Sequence, residues 1–265
     1  MSNSSRSYSK PEPVREPKAL LQDDQVVEAI ELQTGEISMV DDSYQKQEGI
    51  LPVKTFWVII SGGQKREKDY FKIISQQDLF KRIKLEYIAD PNKLNPKGML
   101  EKANYLHERF ESSVNEESAL DKIFLIADVD HFLNELIEIK PICTEAGYKL
   151  IISNSCFEVW LYYAFSDKVP DMIIPENPLK ISSKFKGWAN DAVRGGLKPT
   201  QAIFKIYENI DNARKNYQEN ENGIPMLFST NMFELAEELT PLIEPELTNL
   251  IKENEKRKAR LNVRK

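Results

Sequence analysis

Cysteine and histidine are scarce in this chain of 265 residues, with two of each. Cys143 and Cys156 have no second pair and no nearby histidines, so neither a disulfide framework nor a four-ligand zinc motif is spelled out. A reduced, cytoplasmic setting is the natural expectation. Long apolar runs are also missing. The longest strongly apolar stretch, Phe56 to Ile60, is far too short to cross a bilayer, and the N-terminus has no apolar signal core, so no membrane attachment is expected. Positive charge is in deficit: 36 Lys and Arg stand against 42 Asp and Glu, for a net charge of −6 and a pI near 5.3. That excludes attachment to nucleic acid by bulk charge, because nonspecific affinity comes from neutralising many phosphates, but it leaves room for a local basic surface. The phosphate-loop pattern GxxxxGK[ST] and the dinucleotide fingerprint GxGxxG are both absent.

What is present is an alternation of strand and helix signals. Phe56 to Ile60 is a β-rich run stopped by Ser61-Gly62-Gly63, and Glu67 to Phe80 follows with apolar residues at helical spacing. The unit recurs: Ile83 to Ile88 as strand and Gly98 to Ser113 as helix, then Lys122 to Ala127 and Phe132 to Ala146, then Tyr148 to Ile152 and Cys156 to about Ala164. Strands that are apolar throughout, alternating with amphipathic helices, require a mainly parallel sheet covered on both faces, so the expected class is α/β. After Phe165 the strand signals stop. Asp167 to Asn177 reads as a proline-bearing loop, and Thr200 to Asn216, Thr230 to Leu242 and Glu244 to Arg260 read as helices, with Ser229 or Thr230 as an N-cap.

The chain thus divides into an N-terminal extension over residues 1–50, an α/β core over 52–165, a helical C-terminal part of the same domain over 166–250, and a basic tail over 251–265. The first seventeen residues, rich in Ser, Pro and charge, offer little to bury and are expected to be mobile; Ala19 to about Gln47 suits a short helix or an arm. Six of the last ten residues are basic, which leaves about −12 on residues 1–255. Such a tail suits phosphates, an acidic partner or simple solvation.

In open parallel sheets ligands bind beyond the carboxyl ends of the strands, and three of those ends carry polar clusters. The first is Ser61 to Glu67, where Gly62-Gly63 permits close backbone approach and Lys65 with Arg66 could meet a phosphate; the alternative is a plain strand-to-helix turn. The second is Asp128-Val129-Asp130-His131. If the strand runs extended through Asp130, alternation puts both carboxylates on one side, able to share a hard cation such as Mg²⁺. The competing reading makes Asp130 the N-cap of the next helix, with Asp128 favourable at its positive end. His131 beside them could act as general base. The third cluster, Ser153 to Glu158, offers Asn154 as a phosphate contact and matches a capping box, Ser155-x-x-Glu158, which would account for Glu158 without any function. Cys156 reads as a small buried residue, and His107, on a charged helix, as solvated.

Taken together, SGGQKREKDYF (Ser61 to Phe71), IADVDHF (Ile126 to Phe132) and SNSCFEVWLYYAF (Ser153 to Phe165) resemble the RloB-like family, found beside restriction and phage-defence genes in prokaryotes. That family shows patterns like EGEKTEPNYF, DRDxH and SNPCFELWLLxHF. LFSTNMFELAEEL (Leu227 to Leu239) echoes a segment near its C-terminus, and the resemblance spans about residues 55 to 240. It implies a Toprim-like core, the fold of topoisomerases, primases and OLD-type nucleases. There an acidic residue after the first strand and a DxD after a later one bind Mg²⁺, or Mn²⁺, for phosphodiester chemistry. It also implies an AAA-type ATPase of a neighbouring gene as partner. The ligands carried over are Asp128 and Asp130. The family's first glutamate falls on Gly62 and its next acidic position on Gln64, so Glu67 alone remains of that set. Two readings follow: an active site built from Asp128, Asp130 and Glu67 with Glu158 reaching in, or a scaffold without catalysis that binds a partner.

Overall fold

The computed structural model describes residues 55–63, 65–75, 79–89, 95–111 and 120–262. The N-terminal extension, Gln64 and the last three residues of the tail lie outside the described residues. Four strands, β1 (Thr55–Ser61), β2 (Ile83–Ala89), β3 (Lys122–Asp128) and β4 (Lys149–Ser153), form one sheet in the order β2-β1-β3-β4. All three pairings are parallel, with Ser61 opposite Ile126 and Asp128 opposite Ser153. The α/β class, the parallel sheet and the helical C-terminal region are those expected.

The continuous apolar runs of β1 and β3 are explained by burial on both faces. On one face Trp57, Ile59, Phe124 and Ile126 join a core closed by α1 (Arg66–Ser75), α4 (Glu158–Tyr163) and the C-terminal helices. On the other, Phe56, Val58, Ile60, Leu125 and Ala127 pack against α2 (Pro96–Glu111) and α3 (Leu133–Glu145). Helix α1 carries the chain from β1 outward to β2, whereas α2 returns it across β1 to β3 and α3 continues to β4. The loops leaving β1 and β3 therefore diverge, which opens a crevice between their carboxyl ends.

The C-terminal part differs from expectation in three places. A helix, α5 (Ile181–Ala192), follows the proline loop after a single 3₁₀ turn at Pro178–Lys180. Its signal was present in Ile181, Phe185, Trp188 and Ala189, spaced as one helical stripe. The helix expected over 200–216 is two, α6 (Pro199–Ala202) and α7 (Ile206–Lys215), joined by a 3₁₀ turn at Ile203–Lys205. The two helices expected over 230–260 are one, α8 (Met232–Asn262), despite Pro241 and Pro245 inside it. Proline removes the N–H that would bond the carbonyl four residues back. Here both orphaned carbonyls find side-chain donors: the Thr240 hydroxyl donates to Glu237 O at 3.2 Å as well as to Ala236 O, and Arg82 Nη1 reaches Pro241 O at 3.4 Å. Thr240→Val should therefore cost about 1 kcal/mol and lower the melting temperature by about 2–4 °C in calorimetry.

The segment before α8 covers the free edge of β4, a position that otherwise exposes unpaired backbone groups. Asn231 Oδ1 accepts from Ile152 N at 2.6 Å, its Nδ2 donates to Leu150 O at 3.2 Å, and its own N–H donates to Ile152 O. Ser153 and Thr230 share a hydroxyl hydrogen bond of 2.8 Å. Thr230 Oγ1 also accepts from Met232 N at 3.2 Å, but the helix begins at Met232, so Asn231 and not the expected Ser229 or Thr230 stands in the N-cap position. The family-like segment from Leu227 to Leu239 is thus an edge cover and helix start.

Candidate active site

The crevice between β1 and β3 gathers charge. Strand β1 ends at buried Ser61, whose hydroxyl accepts from Gly63 N at 3.0 Å, and the Gly63 carbonyl accepts from the Tyr87 hydroxyl of β2 at 2.7 Å. The turn is thereby pinned at both ends. A Cβ built on Gly63 would collide with the carboxyl group of Glu67. The missing side chain at 63 is what lets the Glu67 carboxyl, in the first turn of α1, lie over the turn and stay buried.

Asp128 is the last residue of β3 and keeps some access to solvent. Burial first, then the nearby Glu67 and Glu158 carboxylates, push its carboxyl well above the ordinary range, while Lys186 and the backbone N–H of Phe157 pull it back down. Glu67 is raised as well, by burial and by Glu158, against the lowering effect of its own backbone N–H, Lys186 and Arg66. Glu158 opens α4 and is 6% exposed. Its two oxygens face two cations, Arg66 Nε at 3.8 Å and Lys186 Nζ at 3.6 Å. Arg66 is fixed in turn by a 2.8 Å hydrogen bond from Nη1 to Leu197 O. The result is three acidic side chains on three elements, held under mutual repulsion by two cations.

The sequence-derived candidates divide accordingly. Glu67, Asp128, Glu158 and Arg66 come together. The capping box does not form: the residue before α4 is Phe157, without a side-chain cap, and the Ser155 hydroxyl points to Cys156 Sγ. Glu158 is released from that role and turns into the crevice. Asp130 is neither extended nor an N-cap. The strand stops at Asp128, Asp130 takes a left-handed φ of 23°, and the residue before α3 is Phe132. The Asp130 side chain is partly exposed and lies 3.5 Å from His131, which is also exposed. Lys65 is exposed at the start of α1. Asn154 spends its amide on Pro225 O at 2.8 Å, which ties β4 to the loop before α8. Cys156 is fully buried, and burial together with Glu158 and Asp128 drives its thiol far above the usual value, so no thiolate forms there. His107 is exposed, its ring edge-on to Tyr148.

Sequence reasoning missed Lys186 and Tyr87. Lys186 lies on the unforeseen helix α5, whose apolar stripe would have placed it. Tyr87 reads in the sequence only as a strand residue, and nothing local marks its hydroxyl as the anchor of the glycine turn.

Among the described residues no three His, Cys, Asp or Glu side chains stand close enough together to enclose an ion as they are. The donor chemistry still fits a magnesium-like ion, which is commonly held by one or two carboxylates with water and substrate phosphate completing its shell. Glu67 and Asp128 are the two carboxylates that could supply such a pair. No helix among the described residues is long and apolar enough to cross a membrane. No curated protein and no solved structure matches the chain. The model of the RloB-like protein family does, over residues 57–239. That stretch runs from β1 into α8 and contains the glycine turn, all three acidic side chains and both cations of the crevice, and the chain belongs to the RloB-like family.

Proposed function

We propose that the crevice is the divalent-cation site of a nuclease-type phosphodiester hydrolase, and that the protein works in prokaryotic anti-phage defence or abortive infection. The observation that supports it most is the convergence of Glu67, Asp128 and Glu158 between the carboxyl ends of β1 and β3, where open parallel sheets bind ligands. The sheet order and this placement suit the Toprim-like scaffold that the family resemblance implies. In this reading Glu67 and Asp128 hold Mg²⁺ or Mn²⁺, and the solvent-accessible Asp130 and His131, 3.5 Å from each other, are not among its ligands. When bound, such an ion supplies a polarised phosphate and a water of lowered pKa. Arg66 and Lys65 flank the crevice with positive charge for the substrate phosphate, and Glu158 keeps Arg66 and Lys186 aimed inward. The partner suggested by the family is an AAA-type ATPase.

Gly62 favours a second reading. It sits where the family pattern has a carboxylate, so the same scaffold without hydrolysis would serve as a binding partner of that ATPase. Incubation of the protein with Mg²⁺ or Mn²⁺ and DNA or RNA, alone and with the neighbouring gene product, separates the two. Cleavage that disappears in Asp128→Ala supports the first; none above that control supports the second.

A further expectation follows from the turn. Gly63→Ala should displace the Glu67 carboxyl at little cost to the fold, no more than about 1 kcal/mol, because only a side-chain end must move. Cleavage should fall to the level of Glu67→Gln while the melting temperature stays near wild type. A large drop in melting temperature would mean that the backbone, not Glu67, absorbs the added methyl.

A further inference from the structure

Lys186 is the cation of the crevice with freedom to move. Its helix is anchored by Ser182, Phe185 and Ala189, all buried, so its backbone is fixed. Its ammonium, on a flexible four-carbon stem, lies 3.6 Å from Glu158 Oε2, with the lysine side chain 46% exposed and that of Glu158 only 8%. The other cation, Arg66, is tied down by Leu197 O. Burial works against the charge on Lys186, yet the attraction of the carboxylates, Glu158 first and then Asp128 and Glu67, outweighs it and holds the ammonium above the ordinary lysine value. One side chain is thus drawn by every acidic group of the site. Without it, three carboxylates would share a poorly solvated crevice with a single compensating charge.

We propose that Lys186 is the resident counter-ion of this site: paired with buried Glu158 at 3.6 Å, it offsets the negative charge of the crevice in the metal-free protein and competes there with an incoming divalent cation. This rests on the metal reading above. A lysine in this role stabilises the apo protein and weakens metal binding, whereas a purely structural lysine does only the first, and a lysine that helps assemble the cation site does the reverse of the second. It also gives the lysine somewhere to go: an ammonium displaced by the ion is left beside the site where a substrate phosphate would sit.

The experiment measures Mn²⁺ binding by titration calorimetry, and thermal melting in EDTA, for wild type, Lys186→Met, Lys186→Gln and Lys186→Arg, with circular dichroism as the check on folding. Both neutral variants are expected to bind Mn²⁺ about three- to tenfold more tightly, the scale of one partly screened charge within several ångströms. They should also melt roughly 2 to 4 °C lower in EDTA. Lys186→Arg should stay near wild type in both. Unchanged or weaker Mn²⁺ binding by the folded neutral variants overturns this inference while leaving the metal reading intact. A wild type that takes up no Mn²⁺ overturns both.

Discussion

Asp128→Asn is expected to abolish divalent-cation-dependent cleavage, by at least about a hundredfold, and at the same time to raise the melting temperature of the metal-free protein. The loss follows from removing one of two carboxylates that would carry the ion, on the scale seen when one charge-stabilising group is taken from a water-excluded site. The gain follows from the site's electrostatics. Burial, Glu67 and Glu158 all disfavour the Asp128 charge, and Lys186 compensates only in part. The folded protein therefore holds the Asp128 proton more tightly than the unfolded chain does. Relative to wild type at higher pH, this contribution is fully present below the ordinary aspartate value of 3.8 and is lost as pH rises through the elevated folded value, whereas a residue that never ionises loses nothing. In EDTA the stability gap between Asp128→Asn and wild type should be near zero below about pH 4 and widen above it. Thermal melts across that range check the sign. A variant less stable than wild type at neutral pH would show that Asp128 serves the fold and not a ligand.

Asn231→Ala carries the largest expected cost to the fold, about 2–4 kcal/mol, which corresponds to roughly 5 to 12 °C in melting temperature. It strips the buried Ile152 N–H of its 2.6 Å acceptor and leaves Leu150 O without a donor, on the edge strand that carries Ser153 opposite Asp128. Such a loss exceeds that of an average surface contact because the Ile152 amide left behind is buried and unpaired, while Leu150 O is only partly covered. Asn231→Asp should fall between, since it can still accept from Ile152 N–H but cannot donate to Leu150 O. Hydrogen exchange at the Ile152 amide gives the local readout. An unprotected Ile152 amide in wild type would contradict the edge-cover role.

The strands were legible in the sequence because a sheet buried on both faces leaves no ambiguity in its apolar runs: Phe56 to Ile60 and Ile123 to Ala127 could belong nowhere else. The end of β3 was less so. Alternation predicts where Asp130 points only while the chain stays extended, and the left-handed turn at Asp130 carries no glycine to announce it. The long helix α8 was hidden because prolines ordinarily end helices. What rescues it is a threonine one residue before the first proline and an arginine far away in sequence, and only the second is a tertiary effect. Glu158 shows the reverse error. A capping box is a local explanation and a sufficient one on paper, but two cations from α1 and α5 compete for the same carboxylate and win. Lys186 was missed because a single lysine on a polar helix face looks like solvation until the fold places it against a buried acid.

The most direct measurement is a crystal structure of the protein soaked in Mn²⁺, read by anomalous scattering. The predicted result is a peak in contact with the carboxylates of Glu67 and Asp128, with Lys186 Nζ moved away from Glu158. A peak confined to Asp130 and His131, or none in the crevice at Mn²⁺ concentrations that support cleavage, would contradict the assignment.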